Sequence, residues 1–321
     1  MKKSTIMWLA TAAFLIVLGL VLFVGAVAAQ GWDIAGLSSA KYETNVYEVN
    51  GAFDSISISV ETTEIRFAPS EDEKCRIVCF ETEKMKHSAA VQNGTLTIGT
   101  IDTRKWYDYI GINYEMPKMT VYLPHKIYDS LSVFTATGSI DIPGDFSFQD
   151  LEIVSDTANI KCLASVSNAM EISSKTGTIT ADSLSADEIR LSTTTGGINV
   201  SSVVSGRGLE INISTGPVRL TDVTCTDLTV NSSTGTISLK NVIAEGYFSI
   251  KTSTGNVRFD DCDAAQISVR TSTGAVTGTL LSEKIFITET STGHVNVPKS
   301  ISGGRCEITT STGNINIYTP N

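Results

Sequence analysis

Residues 228–257 read LTVNSSTGTISLKNVIAEGYFSIKTSTGNV, and the Ser-Ser-Thr-Gly at 232–235 returns as Thr-Ser-Thr-Gly at 252–255. Outward from this pair, the same glycine recurs at Gly138, Gly177, Gly196, Gly216, Gly235, Gly255, Gly274, Gly293 and Gly313, with Ala158 in the slot of one degenerate copy. Successive spacings are 20, 19, 19, 20, 19, 20, 19, 19 and 20, so ten copies follow one another without a long insertion. A fixed period of this size is the mark of a stacked repeat.

Counting each copy from its glycine turns the sequence into columns. Position −1 is threonine in all ten copies, from Thr137 to Thr312, and position +2 is Ile or Val throughout, from Ile140 to Ile315. Position −7 is apolar from Leu131 to Cys306, and position −5 is aliphatic except at Thr288. Side chains of a strand alternate with period two, so −7, −5, −3 and −1 share a face and the hydroxyls at −3 and −1 are expected to point inward with the aliphatic pair. Glycine supplies a corner, and +2 and +4 begin a second inward face. Each copy therefore reads as two short strands and two bends. A unit this small buries its apolar face only by stacking on its neighbours. The expected fold is all-β, a single-stranded parallel β-helix or solenoid over residues 126–321. At about 4.8 Å per rung it would be a rod on the order of 45 to 50 Å long.

Upstream the repeat is poorer. Phe53–Phe67 alternates clearly, and Thr62-Thr63-Glu64-Ile65 resembles a worn corner. A strand pair is expected around Cys75–Thr82 and Gly94–Ile98, with a charged turn at Ser70–Lys74, and another strand at Met119–Leu123, ended by Pro124. Residues 48–125 thus read as a β-rich cap, which an open end rung needs, and residues 30–47 as a linker. At the other end only four residues follow Ile317, so the rung around Ile315 and Ile317 reads as an uncapped end open to end-to-end self-association.

Residues 1–29 form a transmembrane anchor on this reading. Ile6–Ala29 holds 24 residues without a charge, more than the roughly 20 a spanning helix requires. Lys2 and Lys3 precede it, which places the N-terminus in the cytoplasm and the rest outside. Ala26-Val27-Ala28 fits a signal-peptidase pattern, although the apolar run is longer than the usual signal core. The net charge of −10, with 24 basic and 34 acidic residues, opposes binding to a phosphate backbone. The 36 Ser and 40 Thr disfavour a helical ectodomain.

Chemistry is sparse. Cys162, Cys262 and Cys306 replace aliphatic residues in core columns, and Cys162 and Cys262 lie five rungs apart, roughly 24 Å, so free thiols are expected. His87, His125 and His294 are scattered, no His/Cys cluster has zinc spacing, and the acidic Asp260, Asp261 and Asp263 read as a solvated turn. No metal, cofactor or catalytic residue is expected. Ice binding by a threonine array is disfavoured because the threonine column is expected to face the core. Candidate contact residues are the outward Ser233, Ser253, Ser272, Ser291 and Ser311, a hydroxyl ladder that β-propensity and solubility also explain. Trp106, Tyr107 and Tyr109 form the densest aromatic stretch outside the anchor, read either as a contact with a partner or the membrane interface or as a hairpin wing packed on the cap.

The exported layout, rungs such as Thr252-Ser253-Thr254-Gly255-Asn256-Val257 and the strand ending in Leu123-Pro124 resemble the bacterial putative-adhesin β-strand-repeat family, a domain of unknown function, over about residues 50–319. The resemblance implies a cell-surface β-solenoid involved in adhesion or envelope-stress sensing, and it carries no catalytic residues. The expected function is a membrane-anchored, extracytoplasmic, non-catalytic scaffold whose partner is an envelope protein or glycan and not a nucleic acid. The alternative is a β-helix enzyme acting on cell-wall or other polysaccharide.

Overall fold

The computed structural model describes residues 3–29, 31–32, 41–109 and 115–320. Helix α1 (Lys3–Ala29) contains the span Met7–Ala29, with mean hydropathy 2.8. It is long and apolar enough to cross a membrane, a test that a signal sequence also meets.

The glycine-aligned copies form a parallel β-solenoid, each rung in register with the next: Val218 pairs with Ile237, Leu228 with Phe248 and Thr234 with Thr254. Each rung has three strand segments and three bends, one of each more than the sequence reading. In the rung that starts at Gly216, φ at the glycine is +141°. The second bend falls at Asp222, whose φ of 53° is left-handed. The third is a register shift between Cys225 and Leu228. In five consecutive rungs the second bend has its own column six residues after the corner: Ser183, Ser202, Asp222, Asn241 and Asp261 all have φ between 51° and 54°. Short polar side chains tolerate that conformation better than branched ones, and Asn241 Nδ2 donates to Asp222 Oδ1 at 2.8 Å between rungs. Val218, Leu220, Val223, Cys225, Leu228 and Val230 fill the interior from all three sides.

The −1 threonines point outward, against the expectation. Thr157, Thr176, Thr195, Thr215 and Thr234 are exposed, whereas the −3 residues Ser155, Ser174 and Thr193 are buried. The physical reason is a bend before the glycine. The ladder pairs Ser155 with Ser174 and then Thr157 with Thr176, passing over the residue between. The alternation slips there by one, and −2 and −1 both face solvent. The −3 hydroxyl tightens the corner: Ser174 Oγ donates to Thr176 O at 3.0 Å, and Thr310 Oγ1 to Gly274 O at 3.1 Å.

At the amino-terminal end, β1 (Tyr42–Glu48), β2 (Ser55–Thr62), β3 (Glu64–Pro69), β4 (Arg76–Thr82), β5 (Met85–Gln92), β6 (Thr95–Asp102) and β7 (Lys118–Leu123) continue the stack and then close it. β2 and β3 are themselves a rung: Thr62 pairs with Thr137 and Ile65 with Ile140. β6 lies parallel on β2 and β7 parallel on β3, and β5 and β4 then add antiparallel to these. β4 and β6 are both strands but are not partners, contrary to the expected pair. β1 pairs antiparallel with β4 from Tyr42↔Thr82 to Glu48↔Arg76, so residues 42–47 of the supposed linker belong to the cap, and Tyr42 stacks on Phe80 at 4.9 Å. Residues 33–40 of that linker lie outside the described residues.

The far end departs from sequence order. The strand Gly304–Thr312 pairs with Val257–Thr273 on one side, Ile267 opposite Cys306, and with Lys284–Thr292 on the other, Phe286 opposite Cys306. The rung that comes last in the chain is therefore inserted one place inward, and Ile315 and Ile317 are buried rather than terminal. The end rung is Lys284–Asn296. The interior columns explain the exchange. Cys306, Ile308, Ile315 and Ile317 are apolar and suit burial between two neighbours, whereas the earlier copy carries Thr288 in the aliphatic column and tolerates an open side.

All six cysteines are buried and unbonded, and burial pushes the thiols of Cys75, Cys79, Cys162, Cys225 and Cys306 up to about 12. Thiolate-directed reagents should leave the native protein unmodified and add six labels after denaturation. Intact mass reads both states, and fewer than six labels on the denatured chain would contradict the free-thiol assignment.

Candidate functional site

Because the chain bends before each glycine, the −2 and −1 residues form a double row of small polar side chains along one corner of the solenoid. Ser233, Ser253, Ser272, Ser291 and Ser311 are all exposed in this row. Their spatial order follows the exchanged rungs, with Ser311 between Ser272 and Ser291. Earlier in the row, Asp156 and Lys175 form an ion pair at 2.6 Å. With the threonines outside, the core-facing column that disfavoured an ice-binding array is not what the structure has.

Of the five serines, Ser233 lines a depression: a shallow groove of about 230 Å³ crossing three rungs. One row of its lining is Ser192, Asn212 and Asn231, and the other is Thr194, Ser214 and Ser233. Asn231 Nδ2 donates to Asn212 Oδ1 at 3.0 Å, and Asn212 Nδ2 to Glu210 Oε1 at 2.9 Å, which fixes the amide orientations along the stack. The lining offers hydroxyl and amide groups and no ionised side chain. Such a surface can exchange hydrogen bonds with a neutral, polyhydroxylated ligand, and it contains no carboxylate pair of the kind that glycoside cleavage uses.

Trp106 begins a short 3-10 turn, Trp106–Tyr109, rather than a hairpin wing, and its indole is 76% exposed. Tyr107 and Tyr109 belong to the same turn, and residues 110–114 lie outside the described residues. Asp108 closes the turn by accepting from Lys105 N at 2.9 Å and pairing with Lys84, and these partners, Lys84 first, hold its carboxyl below the usual range. This turn lies on the cap, and Trp106 does not line the groove.

Two further features belong to the cap. A cleft of about 440 Å³ lies between residues 48–53 and 72–76, with Lys126 on its wall. Lys126 Nζ pairs with Asp54 at 2.7 Å and lies 4.8 Å from the Tyr128 ring centroid, so its charge is already engaged. The second feature is a buried polar cluster. By strand alternation Ile77, Cys79 and Glu81 share the inward face of β4, and the hairpin brings His87 of β5 against them. Donor atoms of Cys79, Glu81 and His87 lie within 4.8 Å of one another. Glu81 Oε2 accepts the His87 backbone N–H at 2.7 Å and lies 2.6 Å from His87 Nδ1. Its Oε1 accepts the Tyr47 hydroxyl at 2.5 Å and Asn45 Nδ2 at 2.8 Å. His87 Nε2 lies 3.1 Å from Thr63 Oγ1. Burial pushes the Glu81 carboxyl up, but the hydrogen bonds from Tyr47, Asn45 and His87 outweigh it and hold the group below its ordinary value. The sequence reading missed this cluster because Cys-x-Glu followed by a histidine six residues on matches no zinc spacing. The available signal was an acid and an imidazole at inward parity in two adjacent strands.

The other residues singled out do not converge. His294 is exposed. Asp263 pairs with Lys284 at 2.6 Å, and Asp261 accepts the Thr279 hydroxyl at 2.9 Å.

A capped parallel β-solenoid with three-sided rungs of 19 to 20 residues and a polar outer corner is the class of protein these features define. The profile of the Toastrack DUF4097 family matches residues 53–222 and 207–321, and the chain belongs to that family. No curated protein matches it. Solved structures similar to it include a "putative lipid binding protein" from Parabacteroides distasonis, 16% identical with a TM-score of 0.49, covering 76% of this chain and 98% of that one. A "putative adhesin" from Parabacteroides merdae is 12% identical, with a TM-score of 0.48 and the same coverage of 76% and 98%. A "putative adhesin" from Bacteroides fragilis is 14% identical, with a TM-score of 0.39, covering 88% of this chain and 99% of that one.

Proposed function

We propose that this chain is an extracytoplasmic, non-catalytic binding scaffold held at the membrane by α1, with the N-terminus in the cytoplasm, and that its polar corner contacts a neutral glycan of the cell envelope. The observation that carries this reading is the groove across Ser192, Asn212 and Asn231, where fixed amides and free hydroxyls line a track without charge. The unbroken stack supports it, because in-register rungs set the hydroxyl and amide groups of the groove about 4.8 Å apart along an extended track. The lysines before the apolar helix support the orientation.

Full-length protein in detergent, immobilised and exposed to envelope fractions of its own cell and to a glycan array, tests the reading. Retention of a glycan without release of reducing ends is the expected result. Ser214→Arg, which places a long cation in the groove from an exposed position, should weaken that retention by at least about tenfold, or 1.4 kcal/mol. Reducing-end release would make the protein an enzyme on polysaccharide, and retention unchanged by Ser214→Arg would move the contact off the groove.

A further inference from the structure

We propose that Cys79 Sγ, Glu81 Oε2 and His87 Nδ1 bind one zinc ion that staples the β4–β5 hairpin inside the cap. The donor set selects the metal. A thiolate, an imidazole and a carboxylate together suit zinc, whereas calcium and magnesium require oxygen ligands throughout. Two negative ligands also neutralise a divalent cation, which a site this deeply buried requires. Cys79 and Glu81 are 0% exposed and His87 is 2% exposed.

The distances are close to what a tetrahedral ion needs. Zinc–ligand bonds of about 2.0 to 2.3 Å place ligand atoms roughly 3.3 to 3.8 Å apart. Here they lie within 4.8 Å, with the Glu81–His87 contact at 2.6 Å. Ligation would open the Glu81–His87 contact and draw the three donor atoms to that spacing.

The surroundings make a stronger argument than the ligands alone. A ligating imidazole ordinarily donates through its other nitrogen, and a ligating carboxylate is itself hydrogen-bonded. Thr63 Oγ1 lies at the far nitrogen of His87, and Tyr47 and Asn45 hold the far oxygen of Glu81. Both sets of outer partners are thus in place. Ligation through Nδ1 would require the imidazole proton on Nε2, hydrogen-bonded to Thr63 Oγ1, and would release the Cys79 thiol proton to solvent. Thr63 occupies the corner slot of the first rung, so the ion would tie the hairpin to the start of the solenoid. The site is independent of the glycan groove, which lies on rungs 192–233.

Full-length protein in detergent, stripped with a chelator, incubated with zinc chloride and desalted, should retain about one equivalent of zinc by elemental analysis. Cobalt(II) in place of zinc should give a near-ultraviolet thiolate-to-metal band. Cys79→Ser should abolish that band and lower retained zinc by at least about tenfold, whereas Cys225→Ser, at a cysteine in the core of a distant rung, should leave both unchanged. Zinc should also raise the Tm of the native chain and of Cys225→Ser but not that of Cys79→Ser. Retention below about a tenth of an equivalent in the native chain, or equal retention in the two serine variants, overturns the proposal.

Discussion

Gly216→Ala is expected to destabilise the protein by more than about 4 kcal/mol, seen as loss of folded material or as early exchange of the amides in the adjacent rungs. At this corner φ is +141°, and a Cβ would fall 1.5 Å from Gly196 O. The obstacle is backbone, not the end of a movable side chain. The same residue belongs to the ladder, because Gly196 N donates to Thr215 O at 3.0 Å. Relief would require the rungs to part, which breaks hydrogen bonds and opens the core together. Gly99→Ala in β6 is the matched control: the nearest atom to its Cβ would be Ser88 Oγ at 3.7 Å, an ordinary contact, and the expected change is within about 1 kcal/mol. Because stacked repeats need not unfold in one step, hydrogen exchange resolved by rung is the better measurement. Equal losses in the two variants would show that the close corner is not the cause.

Ile308→Ala and Thr288→Ala form the second contrast. If rungs stacked in chain order, position 308 would lie at the open end and the substitution there would be the milder one. The exchanged order predicts the reverse. Ile308 is 0% exposed, with Val269 on one side and Thr288 on the other. Its truncation should cost about 2 to 5 kcal/mol, as cavity-forming changes in a closed core do. Thr288 has a rung on one side only, and its truncation should cost less than about 1 kcal/mol. Denaturant unfolding monitored with both variants decides the order. A larger loss at 288 than at 308 would restore the sequential stack.

The repeat made most of the architecture readable, because the −7, −5 and +2 columns state which side chains meet from rung to rung. Three errors have distinct physical origins. The −1 threonines were placed inside because strict alternation was carried through a bend, and one unpaired residue reverses every side chain after it. The strand Tyr42–Glu48 was read as linker from its place between anchor and cap, although its two tyrosines find partners on β4, Tyr42 on Phe80 and Tyr47 on Glu81, one on each face of the sheet. The exchange of the last two rungs leaves every column unchanged, so no periodicity test detects it; the trace in the sequence is Thr288, the single break in an aliphatic column. The outward serines were legible from parity, but the groove depends on Asn212 and Asn231, which stand out only when neighbouring rungs are seen together. Cys79, Glu81 and His87 meet through a hairpin, beyond any fixed local spacing.

The exchanged rungs also set a timetable for assembly. A solenoid ordinarily extends one rung at a time, each new strand finding the edge left by the one before. That rule holds here as far as Leu280. Residues 284–296 then have no edge of their own to join, because the strand that receives them, Gly304–Thr312, follows them in the chain. During synthesis their native partner is absent and the edge of Val257–Thr273 stays open until residues 304–318 enter and close both contacts. The final two rungs form as one cooperative step, and an exposed parallel edge during that interval is where an unfinished chain is most vulnerable to pairing with another.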